Sequence, residues 1–165
     1  MQTQALNLWA PASSLAFQSK MHRPDDRDCL VQHASCVSIH GNAALLFGPS
    51  GAGKSALALN LMALGAALVA DDRTCLWRET DQIWADAPQV LRGKIEARYV
   101  GLLHAQAAGP SQVVIAIDLE TTETERLPAE KSLPLLGLSV PLLHNVHAQH
   151  FPAAILQYLK SGRWA

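Results

Sequence analysis

The stretch GPSGAGKS at residues 48–55 decides the fold of this chain. It fills every fixed position of the pattern G-x-x-x-x-G-K-S/T, with an apolar run at residues 43–47 before it and a helical pattern at residues 56–62 after it. In a strand, turn and helix of this kind, backbone N–H groups and the helix N-terminus surround phosphate oxygens. The sequence therefore predicts a nucleoside triphosphate site built from Gly48, Pro49, Ser50, Gly51, Ala52, Gly53, Lys54 and Ser55.

Two side chains of this loop have separate predicted roles. Lys54 is expected to reach the β- and γ-phosphates, and the Ser55 hydroxyl is expected to ligate Mg²⁺. A phosphate loop of this kind occurs in ATPases, GTPases and kinases alike, so other residues must narrow the choice.

The composition limits the class of protein. The chain has 165 residues, of which 49% are hydrophobic and 16% charged, and this indicates a globular domain. A net charge of −1 gives no overall basic surface for nucleic acid, and the apolar runs are shorter than the roughly 20 residues that span a bilayer. We therefore expect a cytoplasmic location, with neither nucleic acid nor a membrane as a partner.

The three cysteines, Cys29, Cys36 and Cys75, have no C-x-x-C spacing. A bridge between Cys29 and Cys36 is an alternative, but reduced thiols in a cytoplasmic protein are favoured.

Residues 1–25 are interpreted as a tail or flexible extension, because the organised pattern begins only after Pro24, and residues 26–165 as one catalytic domain.

One helix among many strands is the predicted architecture. The helix after the phosphate loop covers residues 54–64 and ends before Gly65, which suits the left-handed position after a helix. The remaining predictions are strands at 29–39, 67–70, 113–117 and 138–146, a hairpin at 74–77 and 82–84, loops at 88–101 and 119–134, the second of them mobile, and a helix at 148–160. The pattern predicts an α/β fold with a mixed, largely antiparallel sheet, one P-loop helix and a C-terminal helix.

A pair of carboxylates narrows the chemistry. Asp71 and Asp72 end the strand after the helix, 17 and 18 residues beyond Lys54. At a strand end beside the phosphate loop, such acids can hold Mg²⁺ or accept a hydroxyl proton. Asp118, at the end of the run 113–117, is the rival metal-binding aspartate, and it ranks lower because no acid–base or basic cluster lies near it in sequence.

At this point the chain resembles a known family. His33, the phosphate loop, the run VADD at residues 69–72 and the run IEAR at residues 95–98 resemble the catalytic domain of HPr kinase/phosphorylase. That bacterial enzyme phosphorylates a serine of the phosphotransferase-system carrier HPr. The resemblance covers residues 28–127 and suggests the short, single-domain form found in some alphaproteobacteria.

The resemblance implies further roles. Glu96 matches a second Mg²⁺ ligand beside Ser55, Asp72 matches the general base that takes the seryl proton, and His33 matches a catalytic histidine able to hold Asp72 in place. Arg126 matches the arginine of the family's mobile loop, which stabilises charge on the transferring phosphoryl group.

The expected function is therefore ATP-dependent serine phosphorylation of HPr or an HPr-like carrier, with ATP and Mg²⁺ as cofactors and a homo-oligomer, a hexamer in the family, as the assembly. Reverse phosphorolysis is a second direction of the family, although residues 141–146 lack its basic residues. Tyr99 stands where the family motif has glycine. The alternatives are a small-molecule kinase or ATPase on the same loop, and a regulatory module that binds ATP without turning it over.

Overall fold

A computed structural model describes residues 28–164, so the tail predicted at residues 1–25 lies outside the described residues. The elements are β1 (Leu30–Gln32), β2 (Ala34–Ile39), β3 (Asn42–Phe47), α1 (Lys54–Ala63), β4 (Ala67–Ala70), β5 (Thr74–Glu79), β6 (Gln82–Asp86), a short 3-10 helix (Gln89–Leu91), β7 (Lys94–Ala97), β8 (Gly101–His104), β9 (Ser111–Thr122), β10 (Lys131–Leu135), β11 (Leu138–Asn145) and α2 (Phe151–Ser161).

One large sheet organises the described part of the chain. Its main path runs β1-β5-β6-β9-β3-β2-β4, and β11 joins β9 on one side and β10 on the other. The pairs β3–β9 and β9–β11 are parallel, whereas the other pairs of this sheet are antiparallel. The predicted mixed, largely antiparallel α/β fold is confirmed.

The strand directions bring several chain segments to one edge of the sheet. β3 and β4 are both antiparallel to β2 and therefore point the same way, and β9 and β11 run parallel to β3. In the register of the sheet, Phe47 lies beside Asp118, and Asp118 lies beside His144. The segments that follow β3, β4, β9 and β11 consequently leave the sheet at this shared edge.

Alternating side chains build a core on each face of the sheet. In β3, Leu46 packs in the cluster with α1 and α2, whereas Leu45 packs in the cluster on the other face, as the two-residue repeat of a strand requires. Leu61 from α1 and Ile155 from α2 are fully buried against the first face. Complete burial of such a side chain stabilises the fold by about 1.5–3 kcal/mol.

Two loop predictions were wrong. The range 88–101 is not a simple loop, because it contains β7, which pairs with β8 in a separate two-stranded sheet. Ile95 and Ala97 of β7 are buried and alternate with exposed Lys94 and Glu96, a strand repeat that polar neighbours disguised. The range 119–134 is also partly strand, since β9 continues to its end at residue 122 and β10 begins at residue 131. Only residues 123–130 connect them without regular structure.

The expectation of reduced cysteines was also wrong. Cys29 forms a disulfide with Cys75, while Cys36 is a buried free thiol in β2. The pairing of β1 with β5 brings together cysteines that are 46 residues apart, and sequence spacing carries no sign of that.

The predicted strand 29–39 divides at His33 into β1 and β2, and α2 begins three residues later than predicted. The described residues contain no helix with the length and apolar character of a membrane span.

Candidate active site

The glycine-rich loop between β3 and α1 has a backbone that other residues rarely adopt. Gly48 has φ 145°, and Gly53, the residue that caps α1, has φ 96°. A Cβ atom added at Gly48 would lie 3.2 Å from the Cβ of Ala52 and 3.4 Å from the Cβ of Leu119. Glycine at these positions therefore allows the tight turn that directs the chain into the N-terminus of α1.

The Lys54 side chain folds back onto this loop and contacts its backbone. Its side chain is buried, with the residue 7% exposed, and its ammonium donates hydrogen bonds to the carbonyl oxygens of Gly48 (2.9 Å) and Pro49 (3.1 Å). A lysine ammonium has three N–H donors. The third donor and the positive charge remain for an anionic ligand held against the loop.

Asp71 lies at the centre of a buried hydrogen-bond network. Its Oδ1 accepts from the Ser55 hydroxyl at 2.8 Å and from the Ser35 hydroxyl at 2.7 Å, and its Oδ2 accepts from the backbone N–H of Glu96 at 3.0 Å. The structure thus brings Ser55, Asp71 and Glu96 together from α1, the end of β4 and β7. Three donors satisfy a carboxylate that would otherwise be costly to bury.

Ser35 was missed by sequence reasoning. It is fully buried in β2, between apolar neighbours, and lies 36 residues before Asp71. The available signal was a serine among the mostly apolar residues of β2, which also contains Ser38, and only the pairing of β2 with β4 shows which carboxylate Ser35 contacts.

The donor set around Ser55 fits Mg²⁺. This ion prefers oxygen ligands and usually binds through one or two carboxylates, with water and substrate phosphates completing its shell. Ser55, Asp71 and Glu96 offer a hydroxyl and two carboxylates, and no group of three or more His, Cys, Asp or Glu suited to a metal occurs among residues 28–164. A partial protein shell of this kind suits an ion that arrives with phosphate.

Asp72 faces away from that network. Its backbone is left-handed, with φ 63°, which an aspartate tolerates better than most residues, and the sharp turn sends adjacent carboxylates in different directions. The His33 Nδ1 lies 3.1 Å from the Asp72 Oδ1 and 3.2 Å from its carbonyl oxygen. Both side chains are more than half exposed, so the contact orients Asp72 more than it stabilises the fold.

One cavity collects most of the predicted site. Its volume of about 630 Å³ lies within the range of small-molecule and cofactor sites. Of the predicted site residues, those that line it are His33, Ser50, Gly51, Gly53, Lys54, Ser55, Asp71, Asp72 and Glu96. Arg126 is not among the lining residues; it is exposed in the connection 123–130.

The rival aspartate, Asp118, lies within β9, four residues before the strand ends at Thr122. Its Oδ1 accepts from the backbone N–H groups of Glu120 at 2.8 Å and Thr121 at 3.4 Å. Burial alone would raise the pKa of Asp118, but these bonds, the Thr121 side chain and nearby His144 together hold that pKa below its usual value. Asp118 is not among the residues that line the cavity.

Comparison with known proteins places this geometry in context. The family model described as HPr Serine kinase C-terminal domain matches residues 28–132. The chain is 32% identical to HPr kinase/phosphorylase of Caldicellulosiruptor bescii over 127 aligned residues, covering 69% of this chain and 41% of that protein. It is also 32% identical to HPr kinase/phosphorylase of Streptococcus agalactiae over 149 residues, covering 80% and 47%.

The fold has a solved counterpart. The structure of the Hpr(Ser) kinase/phosphatase from Coxiella burnetii superposes with a TM-score of 0.66 at 23% identity, covering 79% of this chain and 94% of that one. This likeness concerns the fold. The chain spans less than half the length of the two curated relatives.

Proposed function

This chain belongs to the HPr serine kinase C-terminal domain family, and we propose that it transfers the γ-phosphoryl group of ATP to a serine of HPr or an HPr-like carrier. One observation carries the proposal: the Asp71 network and the exposed Asp72–His33 pair open into the same cavity as the glycine-rich loop. A site that only binds nucleotide needs the loop but not an exposed carboxylate beside it.

The nucleotide would be held by the glycine-rich loop. Its backbone N–H groups and the N-terminus of α1 favour the phosphates, and Lys54 would meet the β- and γ-phosphate oxygens in place of its present carbonyl partners. Ser55, Asp71 and Glu96 would hold Mg²⁺. When bound, that ion supplies neutralisation of charge on the phosphate oxygens.

Asp72 would act as the general base. In the forward reaction a bond forms between the serine Oγ and the γ-phosphorus, the bond from that phosphorus to ADP breaks, and the seryl proton passes to the Asp72 carboxylate. Its exposure on the cavity wall leaves Asp72 accessible to an incoming side chain. His33 would hold the carboxylate in a single orientation.

Arg126 would enter only after the acceptor protein docks. It belongs to an exposed connection at the sheet edge shared with the glycine-rich loop, and it is not among the residues that line the cavity. Binding energy from the acceptor can order such a segment. The ordered segment would then bring the positive charge of Arg126 next to the transferring phosphoryl group.

The relatives are named for phosphorylase as well as kinase activity. In that direction an oxygen of inorganic phosphate would attack the phosphorus of phosphoserine, the bond from that phosphorus to the serine Oγ would break, Asp72 would return a proton to that oxygen, and pyrophosphate would leave. Residues 141–146 hold no Lys or Arg to receive the additional anion, so we propose the kinase direction as the main activity. A cytoplasmic location and a homo-oligomer, hexameric as in the family, complete the proposal by resemblance.

The test is transfer of labelled γ-phosphate from ATP to purified HPr. Label on a serine of HPr supports the proposal. Label on a small molecule, ATP hydrolysis without transfer, or nucleotide binding without turnover would instead identify a small-molecule kinase, an ATPase or a regulatory module.

A further inference from the structure

The connection between β9 and β10, residues 123–130, crosses the end of β11. β11 lies between β9 and β10 in the sheet, so the chain must pass over its last residues to reach β10. Thr122 pairs with Asn145, and the Glu123 backbone N–H donates to the Asn145 carbonyl at 2.8 Å. The crossing takes place at the sheet edge where β3 enters the glycine-rich loop.

The Glu123 side chain joins the start of this connection to its end. Its Oε1 accepts from the backbone N–H groups of Thr124 at 2.9 Å and Glu125 at 3.0 Å, and its Oε2 accepts from the Lys131 ammonium at 2.8 Å. The His144 Nδ1 lies 3.8 Å from the same Oε2. The hydrogen bond from Lys131, followed by those from the backbone, lowers the pKa of Glu123 to about 2, so the carboxylate is ionised at neutral pH.

This ion pair is better sheltered than an ordinary surface pair. The Glu123 side chain is 12% exposed and the Lys131 side chain 30% exposed. Freely exposed pairs contribute little because they are solvated and must order two long side chains. Here Glu123 is already ordered by three backbone bonds, one from its own N–H and two to its carboxylate.

A second contact fixes the far side of the connection. The guanidinium of Arg163, just after α2, donates to the carbonyl oxygen of Pro128. Between the two anchors, Leu127 is 84% exposed, and Arg126 has no hydrogen bond or ion pair to any residue in the range 28–164. The stem of the connection is therefore fixed while its tip is left open.

We propose that Glu123 is a positioning residue for phosphoryl transfer, acting through Lys131 to close the stem of the connection that carries Arg126. This inference rests on the proposed function. Fixing both ends of a segment reduces the entropy that is lost when its tip is ordered. Docking of the acceptor then has to order the tip alone, and Arg126 starts from the sheet edge that also holds the glycine-rich loop.

The kinetic test compares Glu123→Gln and Lys131→Met with wild type in the full chain. Gln keeps an oxygen for the backbone N–H groups but loses the ion pair, and Met keeps the length of the lysine stem. Each should lower kcat for transfer to HPr by between about tenfold and 10²-fold, the size of effect that misplaced reacting groups produce, with unchanged Kd for Mg-ATP. The double variant should lose no more than either single one.

Two matched variants separate positioning from general damage. Lys131→Arg keeps a positive charge at this position and should transfer phosphate at close to the wild-type rate. Glu125→Gln makes the same carboxylate-to-amide change as Glu123→Gln, two residues away, and should have no effect. Equal losses in Glu125→Gln, failure of Lys131→Arg to restore transfer, or a fall in ATP affinity that parallels the fall in kcat would overturn the proposal.

A second measurement needs no acceptor. Trypsin cleavage at the bond between Arg126 and Leu127, followed by mass spectrometry without ligands, should be several-fold faster in Glu123→Gln and Lys131→Met than in wild type or Glu125→Gln, because a released stem opens more often. Equal cleavage rates would overturn the proposal even if the kinetics agreed. If wild type fails to phosphorylate HPr, the proposed function fails, and the cleavage rates still decide whether the stem is closed by this pair.

Discussion

The surroundings of Asp71 and the connection 123–130 lie at the same edge of the sheet, but they are held in different ways. Asp71 is buried and accepts three hydrogen bonds from three different elements. The connection is anchored at Glu123 and Pro128, and its tip is exposed. The difference suggests a division of labour, in which a rigid region binds the nucleotide and an adaptable one responds to the acceptor.

The division has a physical rationale. Phosphoryl transfer depends mainly on positioning and charge stabilisation, so the groups that hold the nucleotide benefit from a fixed geometry. A cation that waits outside the site until the acceptor has docked avoids assembling the complete site around water. Loss of a rigid-region side chain should therefore impair binding, whereas loss of a tip side chain should impair transfer alone.

Lys54→Ala should have the largest effect, because it removes the buried cation that we propose meets the phosphates. We expect transfer to fall on the order of 10³–10⁵-fold, the range found for cations at the transferring group, and Mg-ATP binding to be lost by calorimetry while the circular dichroism spectrum is retained. Lys94→Ala is the matched control, since Lys94 lines the same cavity but its ammonium is bonded to the Val90 carbonyl. Wild-type nucleotide affinity in folded Lys54→Ala would show that the loop does not hold phosphate.

Arg126→Ala should separate the two regions most clearly. Transfer to HPr should fall about 10²-fold, within the range for a lost charge-stabilising group, while the Kd for Mg-ATP stays within about twofold of wild type. Leu127→Ala, which truncates the exposed neighbour without changing charge, serves as the control. Equal losses of ATP affinity and transfer in Arg126→Ala would assign Arg126 to the nucleotide-binding region and contradict the proposed separation of nucleotide binding from the response to the acceptor.

Ser35→Ala tests the hydrogen-bond network around Asp71 by removing one of its buried donors. Loss of one buried donor to Asp71 should destabilise the fold by about 1–3 kcal/mol, measured by urea denaturation, and should raise the Mg²⁺ concentration needed for half-maximal nucleotide binding several-fold. Ser38→Ala removes another buried serine hydroxyl from the same strand and should leave the Mg²⁺ dependence unchanged. The same shift in both variants would indicate that Ser35 affects the strand and not Asp71.

Reduction of the Cys29–Cys75 disulfide should have the smallest effect on the site, because the bond joins β1 to β5 on the outer part of the sheet. Opening it should cost about 2–4 kcal/mol of stability, the usual range for a disulfide. Burial, and to a lesser extent Asp86, raises the pKa of the Cys36 thiol, so native protein should react with thiol reagents only after reduction, at Cys29 and Cys75. Rapid thiol labelling of native, unreduced protein would contradict the assignment.

Features that are set by neighbouring residues could be predicted from the sequence, whereas features that depend on residues far apart in the chain could not. The glycine-rich loop and the Asp71–Asp72 pair are local patterns, so the sequence was sufficient to identify them. The mixed sheet was predictable because a single crossover helix stood among many strand signals. The contact between Ser35 and Asp71 depends on strand pairing across 36 residues, which no local pattern encodes.

The missed elements share one cause. β7 is a short strand with charged residues on its exposed side, and its strand character becomes clear only when Ile95 is seen packed in the core with α1. Thr121 and Thr122 appeared as polar loop residues, yet threonine suits a strand when a partner is present, and β11 provides one. In both cases tertiary pairing decided between strand and loop.

The central claim is that Asp72 performs the chemistry while the neighbouring Asp71 belongs to the binding region. It is tested most directly by single-turnover transfer of labelled γ-phosphate to HPr, with Mg-ATP affinity measured alongside, in wild type, Asp72→Asn and Asp71→Asn. We predict that Asp72→Asn binds Mg-ATP normally and transfers on the order of 10²–10⁴-fold more slowly, the usual cost of losing a general base, whereas Asp71→Asn loses Mg-ATP affinity. Wild-type transfer by Asp72→Asn would contradict the account and make Asp71 the candidate base.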